Sequence, residues 1–225
     1  GFSDVLVGAS SFDNGEVDEG VVFLFLGGPQ GLAAAPVWYA EGNQTQAYLG
    51  ECVASAGDVN GDGLSDILAG APWYDRGQAD EGAAFVWHSQ IAPGPMGNPT
   101  NASWTGESDQ PDASYGFSVA PAGDVNGDGY GDIIVGAYEY DEGQADEGAA
   151  FVYHGSADGL PEAWDWHRDA DLAGACFGFS VSSAGDFNGD GYSDVIVGAY
   201  AYDHPSIDEG LASVYHGSDG GLPNG

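Results

Sequence analysis

Oxygen-bearing side chains stand at alternate positions in three short stretches of this sequence. These are Asp58-Val-Asn-Gly-Asp-Gly-Leu-Ser-Asp66, Asp124-Val-Asn-Gly-Asp-Gly-Tyr-Gly-Asp132 and Asp186-Phe-Asn-Gly-Asp-Gly-Tyr-Ser-Asp194. The first, third, fifth and ninth positions hold Asp58, Asn60, Asp62 and Asp66; Asp124, Asn126, Asp128 and Asp132; and Asp186, Asn188, Asp190 and Asp194. A glycine at the sixth position permits a sharp bend, and the backbone carbonyl at the seventh, on Leu64, Tyr130 or Tyr192, adds a further oxygen. Hard cations such as Ca2+ take six to eight oxygens at about 2.3–2.6 Å, and a tight loop can converge them. The first half reads like an EF-hand loop. The second half does not, because the twelfth position holds Ala69, Val135 or Val197 in place of Glu. Asn-Gly and Asp-Gly also make plain hairpin turns. A turn needs two such residues, not four oxygen donors in one register three times over, so the loops are read as calcium sites. Gly1-Phe-Ser-Asp4 repeats Gly63-Leu-Ser-Asp66, which adds Asp4 as the last donor of a fourth, partial loop.

What positions these loops is a repeat. The complete loops start 66 and 62 residues apart, which divides the chain into units 1–62, 63–128, 129–190 and 191–225. The first unit opens inside a loop and the last is partial, about three and a half repeats in all. Each loop runs into a continuous apolar segment ending Gly-Ala, at 5–9, 67–71, 133–137 and 195–199, as suits strands buried on both faces. An aromatic-Asp pair and then Asp-Glu-Gly follow, the latter at 18–20, 80–82, 146–148 and 208–210. Second strands are clearest at 83–88, 149–154 and 211–216. A tryptophan (Trp38, Trp104, Trp166) lies 20 residues before each complete loop, and a Gly-x-x-Val strand at 50–53, 116–119 and 178–181 leads into the loop. The Pro/Gly-rich stretch 91–99 reads as a longer turn. About four short antiparallel strands per unit, with no helical periodicity, predict an all-β fold of propeller-type blades or another β-array.

Composition narrows the function classes. The formal net charge is −34, from 36 Asp+Glu against two basic residues, Arg76 and Arg168. No basic patch for nucleic acid can be built from two arginines, and an anionic membrane would repel the chain. No segment reaches the roughly 18 apolar residues of a membrane span. So many carboxylates call for counter-charge, from bound dications or a salty medium. Cys52 and Cys176 occupy different repeat positions, so a disulfide framework is not indicated.

Phe177-Gly178, with Tyr115-Gly116 and Leu49-Gly50 as variants, and Gly70-Ala71-Pro72, with Gly136-Ala137-Tyr138, Gly198-Ala199-Tyr200 and Gly8-Ala9-Ser10 as variants, flank the loops. In these marks the chain resembles the FG-GAP repeats of integrin alpha subunits and their bacterial relatives, over essentially its whole length. The resemblance implies a seven-bladed propeller with calcium loops, extracellular or cell-surface placement, and a role in adhesion or ligand display. About three and a half repeats do not close a seven-bladed ring, so a partial propeller or open array is expected.

Several recurring residues carry two readings each. Asp75, Asp80 and Glu81 either form a second cation set or make a solvated acidic turn closed by Gly82 at positive φ. His88, His154 and His216 share one repeat position on different units and read as strand-end surface residues rather than ligands of one metal, and the tryptophans as packing between units rather than stacking on sugars. Asn43 and Asn101 lie in glycan sequons. Carboxylates that recur with the repeat argue against catalysis, since chemistry happens once, and neither Gly-x-Ser-x-Gly nor His-Glu-x-x-His is present. The expectation is a non-enzymatic, calcium-binding extracellular scaffold, part of a longer chain or fibre. Its expected partners are neighbouring repeats or copies of itself, with an extracellular protein or glycan also open. A glycan- or ligand-recognition module and an accessory domain of a secreted hydrolase remain the alternatives.

Overall fold

In the computed structural model, residues 2–89, 96–203 and 206–223 are described. The apolar runs after the loops become strands. β1 (Val5–Ala9), β7 (Asp66–Ala71), β11 (Asp132–Ala137) and β15 (Asp194–Ala199) each begin just past a loop's last aspartate or at it. β7 and β11 are buried at every position, as their unbroken apolar character requires. Each pairs antiparallel with the strand after its Asp-Glu-Gly turn: β2 (Val21–Phe25), β8 (Ala83–Trp87), β12 (Ala149–Tyr153) and β16 (Leu211–Tyr215). The tryptophan segments form the outer strands β5 (Trp38–Glu41), β9 (Trp104–Glu107) and β13 (Trp166–Asp169). The strands entering the loops are β6 (Val53–Gly57), β10 (Tyr115–Gly123) and β14 (Phe177–Gly185).

The result is four blades of antiparallel strands, ordered β1-β2-β5, β6-β7-β8-β9, β10-β11-β12-β13 and β14-β15-β16, with a two-residue ladder between β3 (Gly27–Gly28) and β4 (Gly31–Leu32). No sheet closes on itself among the described residues; the fold is an open, partial propeller. The repeat periods begin inside the loops, whereas each full sheet starts one strand earlier. The turn expected at 91–99 lies largely outside the described residues. Its end is a short 3-10 segment, Pro99–Asn101, capped by Asn98.

Blades stack through shared apolar cores. Leu68 and Val86 of the second blade join Val135 and Phe151 of the third, and Ile134 and Val152 of the third join Val195 and Val197 of the fourth. The tryptophans take part in this stacking: the Trp104 indole N–H donates to the Pro161 carbonyl at 2.7 Å and that of Trp166 to Pro223 at 3.0 Å. Of the repeated histidines, expected at the surface, His88 and His154 instead lie at the same seams, and His216 is exposed. A Cβ at Gly159 would fall 3.4 Å from His88, and one at Gly221 would fall 2.8 Å from His154.

Candidate metal centres

Each complete loop joins the first two strands of its blade, so its ends are fixed by a ladder before any ion is considered. Inside the loop the donor oxygens turn onto the loop's own backbone. Asp58 Oδ1 accepts from the Asp62 N–H at 3.0 Å and Oδ2 from Gly63 at 2.9 Å; Asn60 Oδ1 accepts from Asp62 at 2.9 Å, and Asp62 Oδ1 from Leu64 at 2.8 Å. The pattern repeats at Asp124, Asn126 and Asp128 toward Asp128, Gly129 and Tyr130, and at Asp186, Asn188 and Asp190 toward Asp190, Gly191 and Tyr192. Gly61 and Gly63 take φ of +74° and +86°, which lets the chain curl around those oxygens.

The ninth position does something more. Asp66 Oδ2 accepts from Val59 at 3.1 Å across the loop base, while Oδ1 accepts from Ser89 at 2.9 Å, beyond the next strand. Asp132 bonds Val125 and Gly155 in the same way, and Asp194 bonds Phe187 and Gly217. Asp4 keeps the second half of this pattern, accepting from Gly27 at 2.8 Å. These aspartates therefore pin each hairpin as well as closing the loop. Burial raises the Asp66 carboxyl and pushes Asp132 up to about 7, against the pull of the Val125 and Gly155 N–H groups and with Asp128 and Asp124 adding to the rise. At Asp194 the burial penalty is outweighed by bonds from Gly217, His216 and Phe187, which hold it below the ordinary range.

The donor set fits a hard cation: carboxylate and amide oxygens from Asp58, Asn60, Asp62 and Asp66, with the Leu64 carbonyl, on a loop already folded. The carboxylates of one loop do not all lie within 4.8 Å of one another. The loops also touch in series. The Asp58 carbonyl accepts from Gly131 N–H at 2.8 Å, and the Asp124 carbonyl from Ser193 N–H at 2.9 Å.

Matches to the FG-GAP repeat fall on residues 53–87, 115–153 and 177–216, together half of the chain and one in each of the last three blades. The chain belongs to the FG-GAP repeat family. It is 37% identical to integrin alpha-IIb of Mus musculus over 73% of its length, and 36% identical to integrin alpha-PS2 of Drosophila melanogaster over 77%. It spans about 16% and 13% of those relatives' own lengths.

The FG-GAP glycines have a steric reason. The glycine after the aromatic, Gly116 or Gly178, takes φ of +85° or +83°, and the glycine of the apolar run in the preceding blade lies directly on it. A Cβ at Gly70 would fall 1.8 Å from the Gly116 carbonyl oxygen, one at Gly136 would fall 1.9 Å from that of Gly178, and one at Gly8 would fall 2.0 Å from that of Gly50. The two marks of the repeat are the two sides of one blade-to-blade contact.

Reading the Asp-Glu-Gly turn as wholly solvated needs correction. Asp80 is exposed at φ +49° with its N–H on Asp75 Oδ1, but Glu81 is fully buried. Glu81 Oε1 accepts from the N–H groups of Arg76 and Gln78, and Glu147 and Glu19 repeat the arrangement. Gly82 does take positive φ, +80°. The burial of this glutamate and its hold on the turn's N–H groups are what the sequence does not show; their only signal is recurrence in fixed register. Cys52 and Cys176 are both free thiols. No helix among the described residues is long and apolar enough to cross a membrane.

Proposed function

We propose that this chain is a calcium-binding structural and adhesion scaffold of an extracellular protein, a run of blades within a longer propeller or fibre, without catalytic activity. The ions sit in the three complete loops, held by Asp58, Asn60, Asp62, Asp66 and the Leu64 carbonyl and by the matching residues of the other two; Asp4 belongs to a fourth. The observation that carries this reading is the bond from each loop to the next, Asp58 to Gly131 and Asp124 to Ser193. An ion that fixes one loop thereby stiffens the seam between two blades. Similarity to integrin alpha chains supports adhesion and an extracellular setting.

The end faces support continuation by further blades. Val7 on the first blade is 42% exposed, while Val135 at the same repeat position is fully buried by a neighbour. Phe187 on the last loop is 72% exposed, while its counterpart Val125 is fully buried. The nearest atom to a Cβ at Gly198 would lie 3.7 Å away, with no carbonyl pressed against it as at Gly70 and Gly136. The partner that fits these faces is another blade, from the same chain or a copy of it.

Thermal melting in millimolar Ca2+ and in excess chelator tests the proposal. Extracellular calcium modules bind at about 10⁻⁴–10⁻³ M, and a site at a hundredfold saturation adds about 2.7 kcal/mol. A clear fall of Tm on chelation is expected; an unchanged melt overturns the reading.

A further inference from the structure

One cluster breaks the repeat. Three positions recur at the outer edge of the first three blades: the residue just after the aromatic-Asp pair, and two on the outer strand. In the first blade they are Asn14, Tyr39 and Glu41, and the Asn14 amide donates to the Glu41 carboxylate. In the second they are Arg76, Thr105 and Glu107, with Arg76 ion-paired to Glu107 at 3.3 Å. In both, a donor from the turn meets a carboxylate from the strand across a residue without a metal-binding nitrogen. In the third blade the donor is replaced by a carboxylate, Glu142, the strand carboxylate is Asp169, and the residue between them is His167. His167 Nε2 stands 2.8 Å from Glu142 Oε2, and donor atoms of all three side chains lie within 4.8 Å of one another. Among the described residues they form the one such group of three.

Charge and chemistry give this substitution a direction. Two carboxylates now face each other where the other blades pair a donor with an acceptor, and only an imidazole lies between them. Neither arginine answers them: Arg76 is on Glu107, and Arg168 reaches the Pro223 carbonyl at 3.5 Å. His167 and Asp169 are two apart on β13, hence on one face of the strand, opposite Phe151 and Ala149. The imidazole lies nearly parallel to the Phe151 ring, at 14° and 5.9 Å, and against Trp164 at 4.2 Å, which limits its rotation. Asp169 Oδ1 is taken by the Asp171 N–H, leaving Oδ2 for a ligand. Glu142 is exposed and can close the remaining distance by rotating its side chain.

We propose that Glu142, His167 and Asp169 bind a transition-metal dication of the zinc type, at a site separate from the calcium loops and independent of them. One imidazole nitrogen with two carboxylate oxygens selects for such an ion, whereas Ca2+ takes an all-oxygen shell. Zinc–nitrogen and zinc–oxygen bonds of about 2.0–2.2 Å would replace the present hydrogen bond between His167 and Glu142. Three protein donors leave one position of a tetrahedral ion open to solvent, on an exposed blade edge.

The test is a Zn2+ titration by calorimetry in saturating Ca2+, which keeps the loops filled. The wild-type chain is compared with the double variant E142R/H167T, which copies the Arg76, Thr105 and Glu107 pattern of the second blade. The wild type should take up one more equivalent of zinc than the variant, or bind its tightest equivalent at least tenfold more strongly. Independently, one equivalent of Zn2+ should shift the imidazole NMR signals that H167Q removes. Indistinguishable isotherms in the two proteins, or His167 signals unmoved by zinc in the wild type, overturn the proposal.

Discussion

Asp66, Asp132 and Asp194 share one repeat position, yet their acidities differ with what surrounds them. Asp132 lies between neighbouring blades, and burial takes its carboxyl to about 7. A raised folded-state value means that the native form holds a proton which the unfolded chain releases near pH 4. The metal-free protein therefore loses stability as pH rises from about 4 to about 7, by up to about 4 kcal/mol from this group. Urea unfolding in chelator across that window should show the slope, and Asp132→Asn should flatten it. An equal slope in the variant would assign the effect to general charge repulsion. Calcium should abolish this loss, because the bound ion favours the ionised carboxylate. In the same loops Asp128→Ala should lower calcium stoichiometry by one, read by calorimetry. The tight loops were legible in the sequence, because Asp and Asn at alternate positions with a glycine at the bend turn their oxygens onto the loop's own N–H groups. The burial of Glu81 was not. Asp80 beside it adopts a left-handed backbone, so the usual alternation of faces gives no guide to which acid turns inward.

At the scale of the element, the strands were legible where the sequence is continuously apolar. β7, β8, β11 and β12 fall within a residue of their expected limits. The contact between elements was not, because close approach of two backbones leaves only glycines as its trace. That trace can be tested. Gly136→Ala would drive a methyl group into the Gly178 carbonyl, which belongs to the backbone of the next blade and cannot step aside cheaply. It should cost roughly 2–4 kcal/mol in chemical denaturation. Gly198→Ala, at the same repeat position but with its nearest neighbour 3.7 Å away, should stay within about 0.5 kcal/mol of wild type. Equal effects at the two sites would show that strand propensity, not the seam, sets the need for glycine.

Across the whole molecule the dominant quantity is charge. Three dications would bring the formal −34 to −28, still a large self-repulsion. Sodium chloride raised to physiological strength shortens the screening length to about 8 Å, and it should raise the Tm of the calcium-loaded protein. A falling Tm would mean that residual repulsion is not a significant load on the fold. The bonds from loop to loop have a different consequence. They join the same two positions each time: the eighth residue of one loop, Gly131 or Ser193, donates its N–H to the carbonyl of the first residue of the loop before, Asp58 or Asp124. Side chains reinforce the order: Tyr130 lies against Gly61, and Tyr192 against Gly127. Filling one loop thus removes conformational freedom that its neighbour would otherwise surrender on its own ion's arrival. Calcium uptake by the proposed sites should therefore be cooperative, with a Hill coefficient above one. The middle loop, which touches a neighbour on each side, is the one whose loss should uncouple the other two. Asp128→Ala should therefore leave two sites that fill independently, whereas Asp190→Ala at the end of the row should leave two that still act together.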